Sequence, residues 1–118
     1  MAKIQIMGKD ELEAFLRSHK KSVIENSKKV VMKYGSKFQT EAKKYPPTPN
    51  KSGTLARSIS LDIADNGLTA VVYPTANYAQ YVEYGTRYMN AQPFMRPTMQ
   101  KIEPHFVRAM DEVMEKSK

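Results

Sequence analysis

A chain of 118 residues with 41% hydrophobic and 26% charged side chains is long enough to bury one modest core, and it is predicted to form a single domain over 1–118. With no cysteine it has neither a disulfide framework nor a thiolate metal site, and no apolar run approaches the roughly twenty residues that cross a bilayer. The net charge of +7 sits at one end: residues 1–51 hold 12 Lys/Arg against 5 Asp/Glu, whereas residues 52–118 hold 7 of each.

The start, MAKIQIMGKDELEAF, lacks an apolar signal core, so a soluble intracellular protein with no membrane partner is expected. Lys3 to Met7 alternates polar and apolar residues, as a short edge strand does. Asp10 reads as a helix N-cap, with Glu11 and Glu13 in the first turn where the positive helix end favours carboxylates. Leu12, Leu16, His19, Val23, Val30, Tyr34, Phe38 and Ala42 then recur at steps of three, four or seven. That spacing predicts one long amphipathic helix, bent near Gly35, with Arg17, Lys21, Lys28, Lys33, Lys37 and Lys44 beside its apolar face.

Pro46, Pro47 and Pro49 end the helix at Tyr45 and make YPPTPNKSG a loop. Residues 52–58 predict a single helical turn leading into a strand. Ile59, Leu61 and Ile63 alternate with Ser60, Asp62 and Ala64, Asp65-Asn66-Gly67 forms a tight turn, and Leu68–Tyr73 returns as the second strand of a hairpin. After Pro74 a short helix is predicted over Tyr78–Tyr84, then a loop through Pro93. A last helix begins near Arg96, buries Met99, Ile102, Phe106, Met110 and Val113, and should be kinked or interrupted at Pro104.

Chemistry-bearing patterns are sparse. His19 and His105 lack partners at metal-ligand spacing, and no phosphate-binding glycine loop is present. Ser18-His19-Lys20-Lys21 matches a serine–lysine spacing, but the companion elements are missing. No catalytic residue, cofactor or metal is therefore assigned, and the chain is read as a non-enzyme. A basic nucleic-acid-binding protein is the alternative. Against it, the tyrosines that would stack on bases lie in the neutral half, away from the lysines.

The segment YAQYVEYGTRYMNAQPFMRP, residues 78–97, packs four tyrosines, two prolines and two arginines into a stretch that fits no regular element. Three motifs, SGTLARSI at 52–59, YAQYVEYGT at 78–86, and Met89 followed by AQPFMRP at 91–97, occur in an order and spacing that resembles the HK-97-like phage tail-component family. The resemblance implies a small structural protein of tailed phages or prophages, concerned with head-to-tail joining or tail completion. It implies the head–tail junction of the virion as its location, reached from the host cytoplasm during assembly. The implied partners are further copies of itself in a ring, the neck or connector proteins, and the tail-tube protein, with nucleic acid bound at most nonspecifically.

Tyr81, Tyr84, Gly85, Thr86, Phe94 and Arg96 are the expected assembly interface. Aromatics and arginine supply large contact areas with polar tips, and Gly85 permits a turn a side chain would obstruct. The competing reading is that the aromatics seal the helices against the hairpin. Thr86–Gln92 is expected to be mobile in the isolated subunit and ordered on assembly. Lys21, Lys28, Lys29 and Lys33 are assigned to electrostatic docking on an acidic protein surface. The expected fold class is α+β, with the long N-terminal helix and the C-terminal helix packed on a small antiparallel β-sheet.

Overall fold

A computed structural model describes residues 2–5, 8–44, 54–85, 87, 91 and 93–116. In chain order these form β1 (Ala2–Gln5), α1 (Lys9–Ser18), α2 (Lys21–Lys44), α3 (Thr54–Arg57), β2 (Ile59–Ala64), a 3-10 turn (Asp65–Gly67), β3 (Thr69–Pro74), α4 (Ala79–Tyr84) and α5 (Met95–Lys116). The class is α+β, as expected. A three-stranded antiparallel sheet in the order β1-β3-β2 carries α2 and α5 on one face. At about 1.5 Å per residue α2 alone spans about 36 Å, which accounts for most of the 53 Å long axis of a molecule only 22 Å by 21 Å in section.

The N-terminal helical segment differs from the expected single helix. It breaks at His19, whose extended backbone (φ −107°, ψ 153°) ends α1, while Gly35 lies within unbroken α2. Local hydrogen bonds and a ring contact close the end of α1. The Ser18 hydroxyl donates to the Ala14 carbonyl at 2.7 Å, the His19 N–H donates to Phe15 O at 3.1 Å, and the His19 ring stacks on buried Phe15 at a centroid distance of 4.4 Å. Such side-chain bonds compete with the helical ladder. The N-cap is Gly8 rather than Asp10, which instead sits in the first turn beside the helix dipole.

The face α2 buries is also displaced from the expected one. Val23, Ser27, Val31, Gly35, Phe38 and Ala42 are buried, whereas Val30 and Tyr34 are only half-buried and His19 is exposed. Gly35 explains the displacement: a Cβ there would lie 2.7 Å from the Ala70 Cβ and 3.3 Å from Leu61 Cδ1. The helix backbone rests directly on the sheet at that point, a contact that requires glycine. Buried Ser27 donates its hydroxyl to Val23 O at 2.8 Å, so its presence in the core leaves no polar atom unpaired.

The hairpin forms with full pairing from Ile59↔Pro74 to Ala64↔Thr69. Its turn uses positive φ at Asp65, Asn66 and Gly67, residue types that tolerate the left-handed region. Thr69 Oγ1 donates to the Asp65 carboxylate and braces the turn. β1 pairs on the other side of β3, from Ala2↔Val72 to Gln5↔Thr69. Alternation places Ile4, Ile59, Ala70 and Val72 under the helices, where they join Phe38, Leu55, Phe94 and Ile102 in the core.

α5 begins at Met95, one residue earlier than expected, and runs through Pro104 as an uninterrupted helix. Pro104 and Gln100 are both exposed, and the Gln100 carbonyl loses its usual helical donor at the proline. Ile102 and Met110 are buried as expected, and Met95 and Thr98 join them. Met99, Phe106 and Val113 are half-buried. The Tyr34 and Phe106 rings meet edge to face at 6.2 Å, while Lys101 reaches Glu41 at 3.0 Å, which sets α2 and α5 antiparallel.

Candidate functional site

The surface of interest is built by α4 and the start of α5. α4 is too short to be stable by itself, and its apolar face, Ala79 and Val82, packs on the core with Ala76 and Tyr78. Helical spacing turns Tyr81 and Tyr84 to the opposite side, where they are 50% and 69% exposed. Gly85 closes the helix at φ 79°, and its N–H donates to Tyr81 O at 2.8 Å. A left-handed position of this kind is where glycine costs least.

Glu83 links this helix to the next one. Its Oε1 accepts the N–H of Phe94 at 3.0 Å and of Met95 at 2.9 Å, and its Oε2 accepts that of Arg96 at 3.3 Å. A carboxylate on three free amides at a helix N-terminus also answers the positive end of the macrodipole. The sequence reading missed this residue, because the carboxylate and the amides it caps are more than ten positions apart.

Phe94 is completely buried in this chain. The expected apolar anchor is therefore not displayed at the surface, and its ring serves the core, as the competing reading held for the aromatics. Arg96 is exposed in the first turn of α5. Thr86 lies outside the described residues, as do Tyr88–Asn90 and Gln92 of the expected mobile loop. A groove of about 500 Å³ adjoins exposed Tyr84, lined among others by Lys3, Tyr73, Glu83, Arg96 and Met99.

The lysines do not form one patch. Lys21 and Lys28, seven apart, lie on the β2 side of α2, where the Lys28 stem packs beside Gly67 and its amine lies 3.4 Å from Glu25. Lys29 and Lys33, four apart, point away from the sheet, and the Lys33 amine lies 5.4 Å from the Tyr34 ring centroid. Among the described residues no group of three or more His, Cys, Asp or Glu side chains is placed to hold a metal, and no helix is long and apolar enough to cross a membrane. Ser18 and Lys21 flank the α1–α2 break, with the serine hydroxyl committed to Ala14.

The fold is a small α+β scaffold with an exposed aromatic pair on a short helix, whose Glu83 carboxylate is bonded to the start of α5 beside a groove. The profile of the family described as "Bacteriophage HK97-gp10, putative tail-component" matches residues 10–85, and the chain belongs to that family of phage tail components. The matched span covers the 52–59 motif and ends at Gly85, short of residues 89–97. No curated protein and no solved structure matches the chain.

Proposed function

We propose that the chain is a head–tail joining or tail-completion subunit at the junction of the virion, and that it works by associating with copies of itself in a ring. It acts through protein association and carries out no chemistry. The neck or connector and tail-tube proteins are its other partners, met in the host cytoplasm during assembly. The observation that carries this reading is the exposed pair Tyr81 and Tyr84, held beside Arg96 by the Glu83 clamp. Large aromatics and arginine dominate association energies when a partner covers them, and a phage tail component is made to associate.

The test is native mass measurement of the purified chain, alone and mixed with the neck and tail-tube proteins of its phage. It is paired with electron microscopy of lysates from phage lacking the gene. Closed oligomers on mixing, together with separate heads and tails in the mutant lysate, support the reading. A chain that stays monomeric with every partner and whose loss leaves intact virions overturns it. Submicromolar DNA binding at physiological salt that falls steeply with added salt, and is abolished by replacing Lys21, Lys28 and Lys29 together, would instead favour a nucleic-acid-binding role.

A further inference from the structure

The sheet has two edges, β1 and β2, and among the described residues neither is paired on its outer side. Both run antiparallel to β3 and hence parallel to each other. Their registers coincide: Lys3 and Asp62 both pair with Val71, Ile4 and Ile63 with Ala70, and Gln5 and Ala64 with Thr69. Alternation turns Lys3 and Asp62 to the face away from α2, and Ile4 and Ile63 to the face beneath it.

The flanks of the two edges also match. Beside β2, Ile63 is 38% and Met32 48% exposed. Met32 shares a helix line with Lys28, Gly35 and Gln39, which reach Gly67, Leu61 and the Ile59 carbonyl respectively, so it overhangs the β2 side. Beside β1 a groove of about 400 Å³ opens toward α5, lined among others by Ile4, Ile102, Phe106, Val107 and Met110. One edge offers apolar projections, and the other a recess with an apolar floor that Lys3, Gln5, Glu103 and Asp111 also line.

We propose that the β2 edge of one copy adds to the β1 edge of the next, joining the sheets into one continuous sheet around the ring. In that join Asp62 faces Lys3, and Ile63 and Met32 enter the groove beside Ile4. The inference rests on the ring reading above. Rotation about an axis along the strands preserves strand direction, so neighbouring copies present β2 to β1 in parallel, and a closed ring leaves no edge unpaired. Asp62 already accepts the Tyr73 hydroxyl on Oδ2 at 2.8 Å, which leaves its other oxygen for the Lys3 amine. Two β1 edges brought together would set groove against groove and leave Met32 and Ile63 bare.

Because the chain has no cysteine, disulfides report the join directly. Gln5 and Ala64 of one copy are two strand spacings apart, roughly 9–10 Å, beyond the ~7 Å over which two cysteines can bridge. Any disulfide in the double variant Gln5→Cys/Ala64→Cys must therefore join copies. Oxidation under the conditions that assemble the protein with its neck and tail-tube partners should give a covalent ladder on a non-reducing gel. An equal mixture of the two single variants should give dimers, and neither single variant alone should do so. In parallel, Lys3→Glu or Asp62→Lys should each weaken self-association about three- to tenfold, and the two together should restore it.

Native mass measurement on the same samples separates the outcomes. Closed oligomers without cross-links, or Gln5→Cys alone cross-linking into dimers, overturn the strand join and leave the ring. Failure of the reciprocal charge swap to restore association, with thermal unfolding unchanged, overturns the Lys3–Asp62 register. Absence of any oligomer overturns the ring itself.

Discussion

Glu83 Oε1 lies 2.9 Å from the amide nitrogen of Met95, so one carboxylate from a six-residue helix caps the 22-residue helix that follows it. This contact ties the display of Tyr81 and Tyr84 to the start of α5. Glu83→Ala should lower stability to urea by about 1–2 kcal/mol, as other lost N-caps do, and Glu83→Gln, which keeps an acceptor but not the charge, should lose less. If both variants unfold like the parent, the clamp contributes nothing and α4 is held by Ala79 and Val82 alone.

The exposed tyrosines and the buried phenylalanine should separate in their effects. Tyr81→Ala and Tyr84→Ala should leave unfolding within about 0.5 kcal/mol of the parent while abolishing incorporation into assembled particles. Phe94→Ala should cost roughly 3–5 kcal/mol of stability through the cavity it opens. Thermal unfolding and particle assembly, measured on all three, check both halves. Assembly by the tyrosine variants at parental yield would remove α4 from the interface.

Glycine at position 35 is required by contact rather than by conformation. In a free helix Gly→Ala gains about 1 kcal/mol, but here the added methyl meets Ala70 Cβ at 2.7 Å. Gly35→Ala should therefore destabilise by about 1–3 kcal/mol, as overpacking does, and Ala70→Gly in the same chain should recover most of the loss. Urea midpoints of the four combinations form the test.

Acid should release one link between the long helices. Lys101 at 3.0 Å and Lys44 at 3.2 Å donate to the Glu41 carboxylate, and these bonds, Lys101 first, hold its pKa below the usual 4.5. A carboxylate depressed by folding contributes stability that is present above its unfolded pKa and lost as pH falls through the lower folded value. The stability difference between the parent and Glu41→Gln should thus be constant near neutrality and shrink in acid below about pH 4. Denaturant unfolding at several pH values reads it, with added salt reducing the difference because the pair is partly exposed.

Charge on α2 should act on the rate of joining more than on its endpoint. Reversing Lys28 and Lys33 to Glu is expected to slow association with an acidic neck or tail-tube surface at low ionic strength, with circular dichroism unchanged. Equal joining kinetics in stopped-flow mixing at low salt would leave these lysines as a solvated face.

The sequence by itself determined what depends on neighbours in the chain. Alternation from Ile59 to Ile63, the Asp-Asn-Gly turn and the helical periods on either side were enough for the hairpin, the two flanking helices and the α+β class, because each signal lies within one element's reach. The three spaced motifs were enough for the family. Tertiary structure alone decided which side of α2 is buried, since nothing local to Gly35 shows that Ala70, far along the chain, needs its missing methyl. It decided that Phe94 belongs to the core while Tyr81 and Tyr84 stay outside. It also brought Glu83 to the amides of α5 and set Lys3 and Asp62 at one level of the sheet. Those contacts join residues that are distant in sequence, and their energies come from packing and desolvation at close range, which no local period can encode.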